Sequence, residues 1–583
     1  MNMDVVKIRI NNLNMSIKRF PFAILASTLT TIMVIYIINV ENYYNQETIE
    51  LFVRLAMIFA LAFPLYLSIK VFFERKKNIG KLYKVSTRLL VAVILIGYFF
   101  FFLKDFNMVT VTRYIAVNLT LYLLFLVIPY FYQNKNFELY VVKIFIRLII
   151  TFVYSVVLFV GTAAILFTIN ELLNVPITET FYPSAGLIIF GIFAPIFLLA
   201  KIPKHDEVLK PEEYPNILEI LLIYILTPLI TIYTSILYIY FIKILVTQKL
   251  PEGLVAHLVI WYASLSVIIL FFIYPINHKD KWLKNFSRWL PIALIPLLLM
   301  MFLAIGIRIN EYGVTENRYF VVLLGLWISG ITIYYIFTKK KNNVILPLTL
   351  AIIAFLSVFG PWSSYSVSIY SQNQRFENII NKYDIVEDNT IIQNNKDISA
   401  EDQQQIQAII RYFNNNHKLN NLKYLPADFK LTETKQLFGF SYQDRYTPES
   451  PKYFTYFLEN QKRAIQIKDY DYLFHIYNNV TQIESNDAAL SIKINDLDKK
   501  IIITKEGEEI YNRSLVPILN DIHRKNKGKS IEELNQEDLS YIDLKENFKV
   551  KYIFLSFQHS VENNETNTSN LNHLNFFLLI DIY

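Results

Sequence analysis

Arg308, Glu311 and Arg318 share one short polar stretch, Arg308-Ile-Asn-Glu-Tyr-Gly-Val-Thr-Glu-Asn-Arg318, held between the apolar runs 290–307 and 319–337. Two guanidinium groups at the ends of one turn repel each other unless an anion lies between them. Each offers a planar fork of donors that matches a carboxylate or a phosphate through two parallel bonds. The stretch therefore has two readings. In one, Glu311 neutralises Arg308 and Arg318, and the three form a fixed ion-pair cluster. In the other, Arg308, Glu311, Tyr312 and Arg318, joined by Arg375, receive an outside anion such as a lipid headgroup or a glycan. A plain hairpin accounts for the remaining residues. Gly313 permits the left-handed backbone of a tight turn. Thr315 is placed to cap the next helix, and Glu316 in its first turn faces the positive end of the helix dipole.

A second polar stretch, Gly360-Pro-Trp-Ser-Ser-Tyr-Ser-Val-Ser-Ile-Tyr-Ser-Gln-Asn-Gln-Arg375, follows the next apolar run. Pro361 cannot continue a helix and Gly360 permits a reversal, so the last apolar helix should stop there. Trp362 and Tyr365 suit a membrane–water interface. Ser371, Gln372 and Arg375 then make an interfacial neck, residues 361–375, expected to pack on the first loop. Arg308, Glu311-Tyr312-Gly313, Thr315, Arg318, Gly360-Pro361-Trp362-Ser363, Ser371-Gln372 and Arg375 together resemble the signature of an uncharacterised bacterial multipass membrane family, domain-of-unknown-function family 4153. The resemblance is carried by motifs over residues 300–375 and by hydropathy alone before them. It implies a membrane location and says nothing of chemistry.

Composition divides the chain. Residues 1–360 hold 31 Lys and Arg against 18 Asp and Glu, whereas residues 361–583 hold 25 against 31. The positive excess lies in loops between apolar runs, where membrane topology explains it, so no nucleic-acid partner is implied. There is no cysteine, which excludes disulfides, thiolate catalysis and cysteine-based metal sites.

After a polar start at 1–19, apolar runs occupy about 20–38, 51–73, 87–103, 110–132, 140–169, 185–202, 217–245, 254–276, 290–307, 319–337 and 344–360, eleven in all. Each is about long enough to cross a hydrocarbon core of roughly 30 Å, and in lipid each must be helical to pair its own amides. The first run lacks a small-x-small cleavage site and reads as a retained span rather than a signal peptide. With the N-terminus inside, inner segments carry 22 Lys and Arg and outer segments six, an asymmetry that places residues 376–583 outside the cytoplasm. Arg54, Arg88, Arg147, Glu219 and His257 lie near span ends, where long side chains reach the headgroups. No carboxylate sits at a span centre, which argues against proton-coupled transport. Pro64, Pro129, Pro195, Pro228, Pro296 and Pro347 are candidate kinks.

Residues 376–583 read as an α+β domain. Ser399-Ala-Glu-Asp402 resembles a capping box opening a helix to about Phe413, with Ile406, Ile409, Ile410 and Phe413 on its buried face. A second helix is expected over 515–524. Strands are expected over 488–494, 500–504, 548–558 and 575–583, the last two joined by the Asn-rich loop 561–573. The aromatic segment 453–477 suits a core, an interface or a glycan groove. Glycine is too sparse for a phosphate-cradling loop, and no hydrolase, zincin or EF-hand motif occurs. His559, His573 and Asp581 are too scattered to count as metal ligands.

The expected fold is thus a polytopic α-helical membrane bundle of about eleven transmembrane helices (20–360), then a soluble extracytoplasmic α+β domain. The function expected is that of a non-enzymatic envelope protein, without metal or cofactor, whose outer domain binds an envelope lipid, glycan or protein partner. Two alternatives stand beside it. One is a transporter or flippase. The other is a transferase using a lipid-linked donor, with Glu41, Glu47 and Glu50 of the first outer loop as its carboxylates.

Overall fold

The computed structural model describes residues 15–40, 46–75, 80–104, 106–130, 136–173, 175–203, 211–248, 254–387, 390–391, 397–426, 428–442, 452–458, 467–477, 482–485, 490–495, 500–526, 534–545, 548–561 and 571–583. Most of the polar start, Glu41, and most of the Asn-rich loop lie outside them. The chain separates into two compact units, Met1–Asp444 and Arg445–Tyr583. The division falls later than the expected domain boundary at 375/376, because residues 376–444 pack with the helical part.

Among the described residues of the first unit, ten helices are long and apolar enough to cross a membrane. They are α1 (Pro21–Val40), α2 (Gln46–Arg75), α3 (Lys81–Phe102), α4 (Met108–Tyr130), α5 (Phe137–Leu173), α6 (Phe181–Leu199), α7 (Asn216–Thr247), α8 (Val255–Ile276), α9 (Lys281–Tyr312) and α10 (Glu316–Phe337). The eleventh apolar run forms only α11 (Ile345–Leu356), 12 residues long. At 1.5 Å per residue that is roughly 18 Å, short of a full crossing by helix alone. Turns flank it on either side. Thr120 Oγ1 of α4 donates to Ala351 O, and Arg113 Nε, near the start of α4, donates to Val358 O. At the other end Asn343 meets Glu138 at the start of α5, where α4 has just finished. The segment 343–358 therefore runs antiparallel to α4, from the start of α5 to Arg113 near the start of α4.

Two of the proline sites coincide with irregular helix. A π-turn spans Ile189–Phe193 just before Pro195, and another spans Leu221–Leu226 just before Pro228. Proline removes one backbone donor and crowds the carbonyl four residues back. For Pro195 that carbonyl belongs to Gly191, and the Ser27 hydroxyl of α1 donates to it. An added Cβ at Gly191 would run into the Thr31 hydroxyl, so glycine lets α1 and α6 approach closely. The main core gathers Val259 and Ala263 of α8, Leu290, Leu294 and Leu297 of α9, and Ile328 of α10, all fully buried.

Beyond α11 come α12 (Ser364–Ile380), the short hairpin β1 (Val386–Glu387) and β2 (Thr390–Ile391), and α13 (Ala400–Asn416). Ile406, Ile409, Ile410 and Phe413 bury fully, as their spacing requires. The Ser399 hydroxyl accepts from Asp402 N at 3.2 Å. The other half of the capping box is made differently. The Asp402 carboxylate takes Lys382 Nζ at 3.0 Å and the Tyr383 hydroxyl at 2.8 Å, while Ser399 N donates to Tyr383 instead.

The second unit holds two antiparallel sheets. One is ordered β5 (Gln482–Glu484), β6 (Leu490–Asn495), β7 (Lys500–Lys505), β8 (Glu508–Ser514). The other is ordered β3 (Lys452–Phe457), β10 (Phe548–Val561), β11 (Leu571–Ile582), β4 (Tyr472–Tyr477), with β9 (Ser540–Lys545) also on β10. The early half of β10 pairs β9 and its later half pairs β3. The amphipathic α14 (Leu515–Asn526) adds Leu515, Ile518, Leu519 and Ile522 to the core around Tyr552, Phe554 and Phe576. The aromatic segment 453–477 thus supplies the two edge strands β3 and β4, and Phe474 and Ile476 alternate inward with Leu473, His475 and Tyr477 outward.

Candidate functional site

The turn between α9 and α10 is shaped by one glycine. Gly313 has φ +69° and ψ 180°, a region that side-chain-bearing residues almost never adopt. A Cβ there would also lie 2.8 Å from Gln372 Nε2 and 3.1 Å from Ser371 Oγ. The turn and α12 are consequently in direct contact. Val314 N donates to Ser371 Oγ at 2.8 Å, and Gln372 Nε2 donates to Tyr312 O at 3.0 Å and Val314 O at 2.9 Å. The neck residues 361–375 therefore pack on the first loop, mostly as helix rather than extended chain.

Around this turn the arginines converge. Arg318 NH1 donates to Gly313 O at 2.7 Å and Tyr312 O at 3.1 Å. Arg375 NH1 reaches Tyr312 O at 3.4 Å, and its NH2 donates to Gln405 Oε1 at 3.0 Å. Both guanidiniums also flank the Tyr312 ring, 5.5 and 5.9 Å from its centre. Arg308 is near enough for its charge to act on Arg318. Burial first, and then the charge of Arg318, lower the proton affinity of Arg375; arginine stays charged in water regardless. Glu311 is exposed, and its charge favours the charged forms of Arg318 and Arg375 from a distance; among the described residues no carboxylate makes an ion pair with Arg308, Arg318 or Arg375 within 4.0 Å. Among the described residues, every hydrogen-bond acceptor of Arg318 and Arg375 is neutral.

Two expectations for the hairpin change. Thr315 holds the extended N-cap backbone of α10, but its hydroxyl accepts no capping bond. Glu316 lies in the first turn as expected, yet it is 1% exposed and serves more than the helix dipole. Its Oε1 accepts from the Tyr412 hydroxyl and meets His417 Nε2, both at 2.7 Å. Burial, then the Glu316 charge, push the Tyr412 hydroxyl well above the ordinary phenol range, which keeps it a donor. Tyr412 and His417 lie on and just after α13, about a hundred residues away in sequence, and no local pattern announces them.

The helix end at the second motif also shifts. α11 ends at Leu356, and a turn carries the chain through Gly360, φ +87°, to Ser363, which caps α12. Pro361 follows the turn glycine, and the Tyr319 hydroxyl donates to Trp362 O at 2.8 Å, leaving the indole 55% exposed. Tyr365 is buried against α4, where its hydroxyl donates to Val109 O. Among the described residues no group of three or more His, Asp or Glu could hold a metal.

Ten long apolar helices with polar turns at both ends define a multipass membrane protein. The chain belongs to the family described as Domain of unknown function (DUF4153), whose model matches residues 22–386. That span takes in the arginine turn, the neck and the start of the segment that packs beneath them. An uncharacterized protein from Pasteurella multocida (strain Pm70) is 22% identical over 391 residues, covering 66% of this chain and 63% of that relative. The chain thus spans somewhat less than two thirds of the relative it matches. No solved structure matches the chain significantly.

Proposed function

We propose that the protein is a non-enzymatic membrane protein that holds an anionic envelope ligand, a lipid headgroup or a glycan, at the Arg308, Arg318 and Arg375 cluster. The observation that carries this reading is charge without a paired carboxylate: Arg308, Arg318 and Arg375 gather at one turn, Arg318 and Arg375 end on neutral carbonyl and amide oxygens, and Glu311 acts on them only from a distance. A phosphate or carboxylate seated between them gains two-pronged, charge-assisted bonds that water offers less well. The excess of lysine and arginine at the opposite end of the bundle supports placing this cluster, and unit two, outside the cytoplasm.

The test compares parent protein, Arg318→Gln, Arg318→Lys and Arg375→Gln, each purified at full length in lipid. Organic phosphate and uronic acid that co-purify are measured beside a melting curve. Retained ligand should fall about tenfold in Arg318→Gln and Arg375→Gln, with partial recovery in Arg318→Lys, because one lost bond to a charged group costs about 1.5–3 kcal/mol. If ligand and melting temperature fall in step across all three, the cluster is a hairpin clasp only. The alternative, movement of a solute or lipid, draws on the π-turns of α6 and α7, where irregular but continuous helix lies inside spans; flux through proteoliposomes separates it from simple retention.

A further inference from the structure

The other end of the bundle carries a cleft of about 500 Å³ whose lining includes Arg19, Lys143, Arg147, Lys201 and Glu213. Two of its cations are already committed. Arg19 grips Glu74 with two bonds, at 2.9 and 2.8 Å, and donates to Ile202 O at 2.6 Å. Lys143 pairs with Glu213 at 2.8 Å. Arg147 and Lys201 have no ion pair or hydrogen bond among the described residues. Lys143 and Arg147 are one turn apart on α5, so they face the same way.

The depth of the cleft follows from the sequence of α5. Its charge-free stretch, Leu148–Asn170, begins at the residue after Arg147. A stretch of that kind fills the hydrocarbon core, which puts Arg147 at headgroup level. Ile150, one step deeper, also lines the cleft, and Phe145, Leu148 and Ile149 beside it are exposed apolar surface. The arrangement has a cationic mouth at headgroup level and an apolar wall running into the membrane.

We infer that this cleft binds the phosphate headgroup of an anionic phospholipid, with Arg147 and Lys201 on the phosphate and the acyl chains along the α5 surface. A freely diffusing phosphate would meet the same two cations but would gain nothing from Ile150 and the exposed face of α5. Basic recesses between spans are suited to such headgroups.

The experiment uses the full chain in neutral detergent and titrates fluorescent phosphatidylglycerol, fluorescent phosphatidylcholine and inorganic phosphate. It is run in an Arg318→Gln Arg375→Gln background, so that the outcome does not depend on the arginine turn. Phosphatidylglycerol should bind at least tenfold more tightly than phosphatidylcholine. Arg147→Gln with Lys201→Gln should remove that preference, and the exposed Lys201→Gln alone, which breaks no internal bond, should reduce it about threefold. Millimolar inorganic phosphate should leave lipid binding almost unchanged. Equal binding of the two lipids, retention of the preference in the double variant, or complete displacement by inorganic phosphate would each overturn the assignment.

Discussion

The two ends of the helical bundle treat positive charge in opposite ways. At one end three cations pair with carboxylates across helices, Arg19 with Glu74, Lys143 with Glu213 and Lys279 with Glu219, while Arg75 ends on the Ile128 carbonyl. At the other, Arg318 and Arg375 end on carbonyl and amide oxygens, and the buried carboxylate nearby, Glu316, is turned to Tyr412 and His417. Paired charges explain themselves as fastenings between helices. Arginines not paired with a carboxylate hold a turn in shape at the cost of mutual repulsion, and the proposed external anion would relieve that cost. The same logic singles out Arg147 and Lys201 at the first end, the two cleft cations left over when their neighbours have paired.

The comparison depends on which end faces the cell interior, and that gives the largest expected effect. The chain has no cysteine. A cysteine at exposed Glu311 should react with an impermeant thiol reagent on intact cells, and one at exposed Lys284 only after lysis. The reverse pattern would exchange the two ends, and with them the compartment of each proposed ligand.

The next effect tests whether Glu316 is spoken for. Glu316→Ala leaves Tyr412 and His417 buried beside an empty site, a loss of about 3 kcal/mol. A clear fall in melting temperature in lipid is expected, whereas retention of anionic ligand by the folded fraction should persist. If stability holds and ligand binding collapses, Glu316 belongs to the arginine cluster after all, and the contrast between the two ends dissolves.

A smaller change addresses the backbone. Gly313→Ala forces a side chain into a glycine-only conformation and against Gln372, costing about 2 kcal/mol. Because the turn presents Tyr312 O and Gly313 O to the arginines, this variant should lower stability and loosen ligand together, as measured by the same melting curve and co-purification assay. A neutral outcome would mean that α12 can move away from the turn without loss.

Much of this molecule was legible as a string of residues. Ten of the eleven apolar runs became long helices, because in lipid a chain must satisfy its own amides and the hydropathy of each segment decides the matter locally. The α+β character of the C-terminal part was equally local: the β-branched run over 500–504, the helical spacing of Ile406, Ile409, Ile410 and Phe413, and Ser399 as a cap each read directly into structure. Gly313 was recognisable from type and context, although the Gln372 that crowds it was not.

Tertiary structure alone decided the pairings. Whether Glu311 or a neutral carbonyl would meet Arg318 depends on distances of a few ångströms between elements that the chain order leaves free. Glu316 found its partners at sequence separations of 96 and 101, and the Arg147–Lys201 cleft joins helices whose facing cannot be read from either alone. The short α11 makes the point from the other side. Its apolar run looked like any other span, and only the folded chain shows that its helix is short and bonded to Arg113 and Thr120 of α4 and to Glu138 of α5. Hydropathy is a property of one segment against its solvent, so sequence carries it. Charge pairing is a property of two segments against each other, and folding must bring them together before it exists.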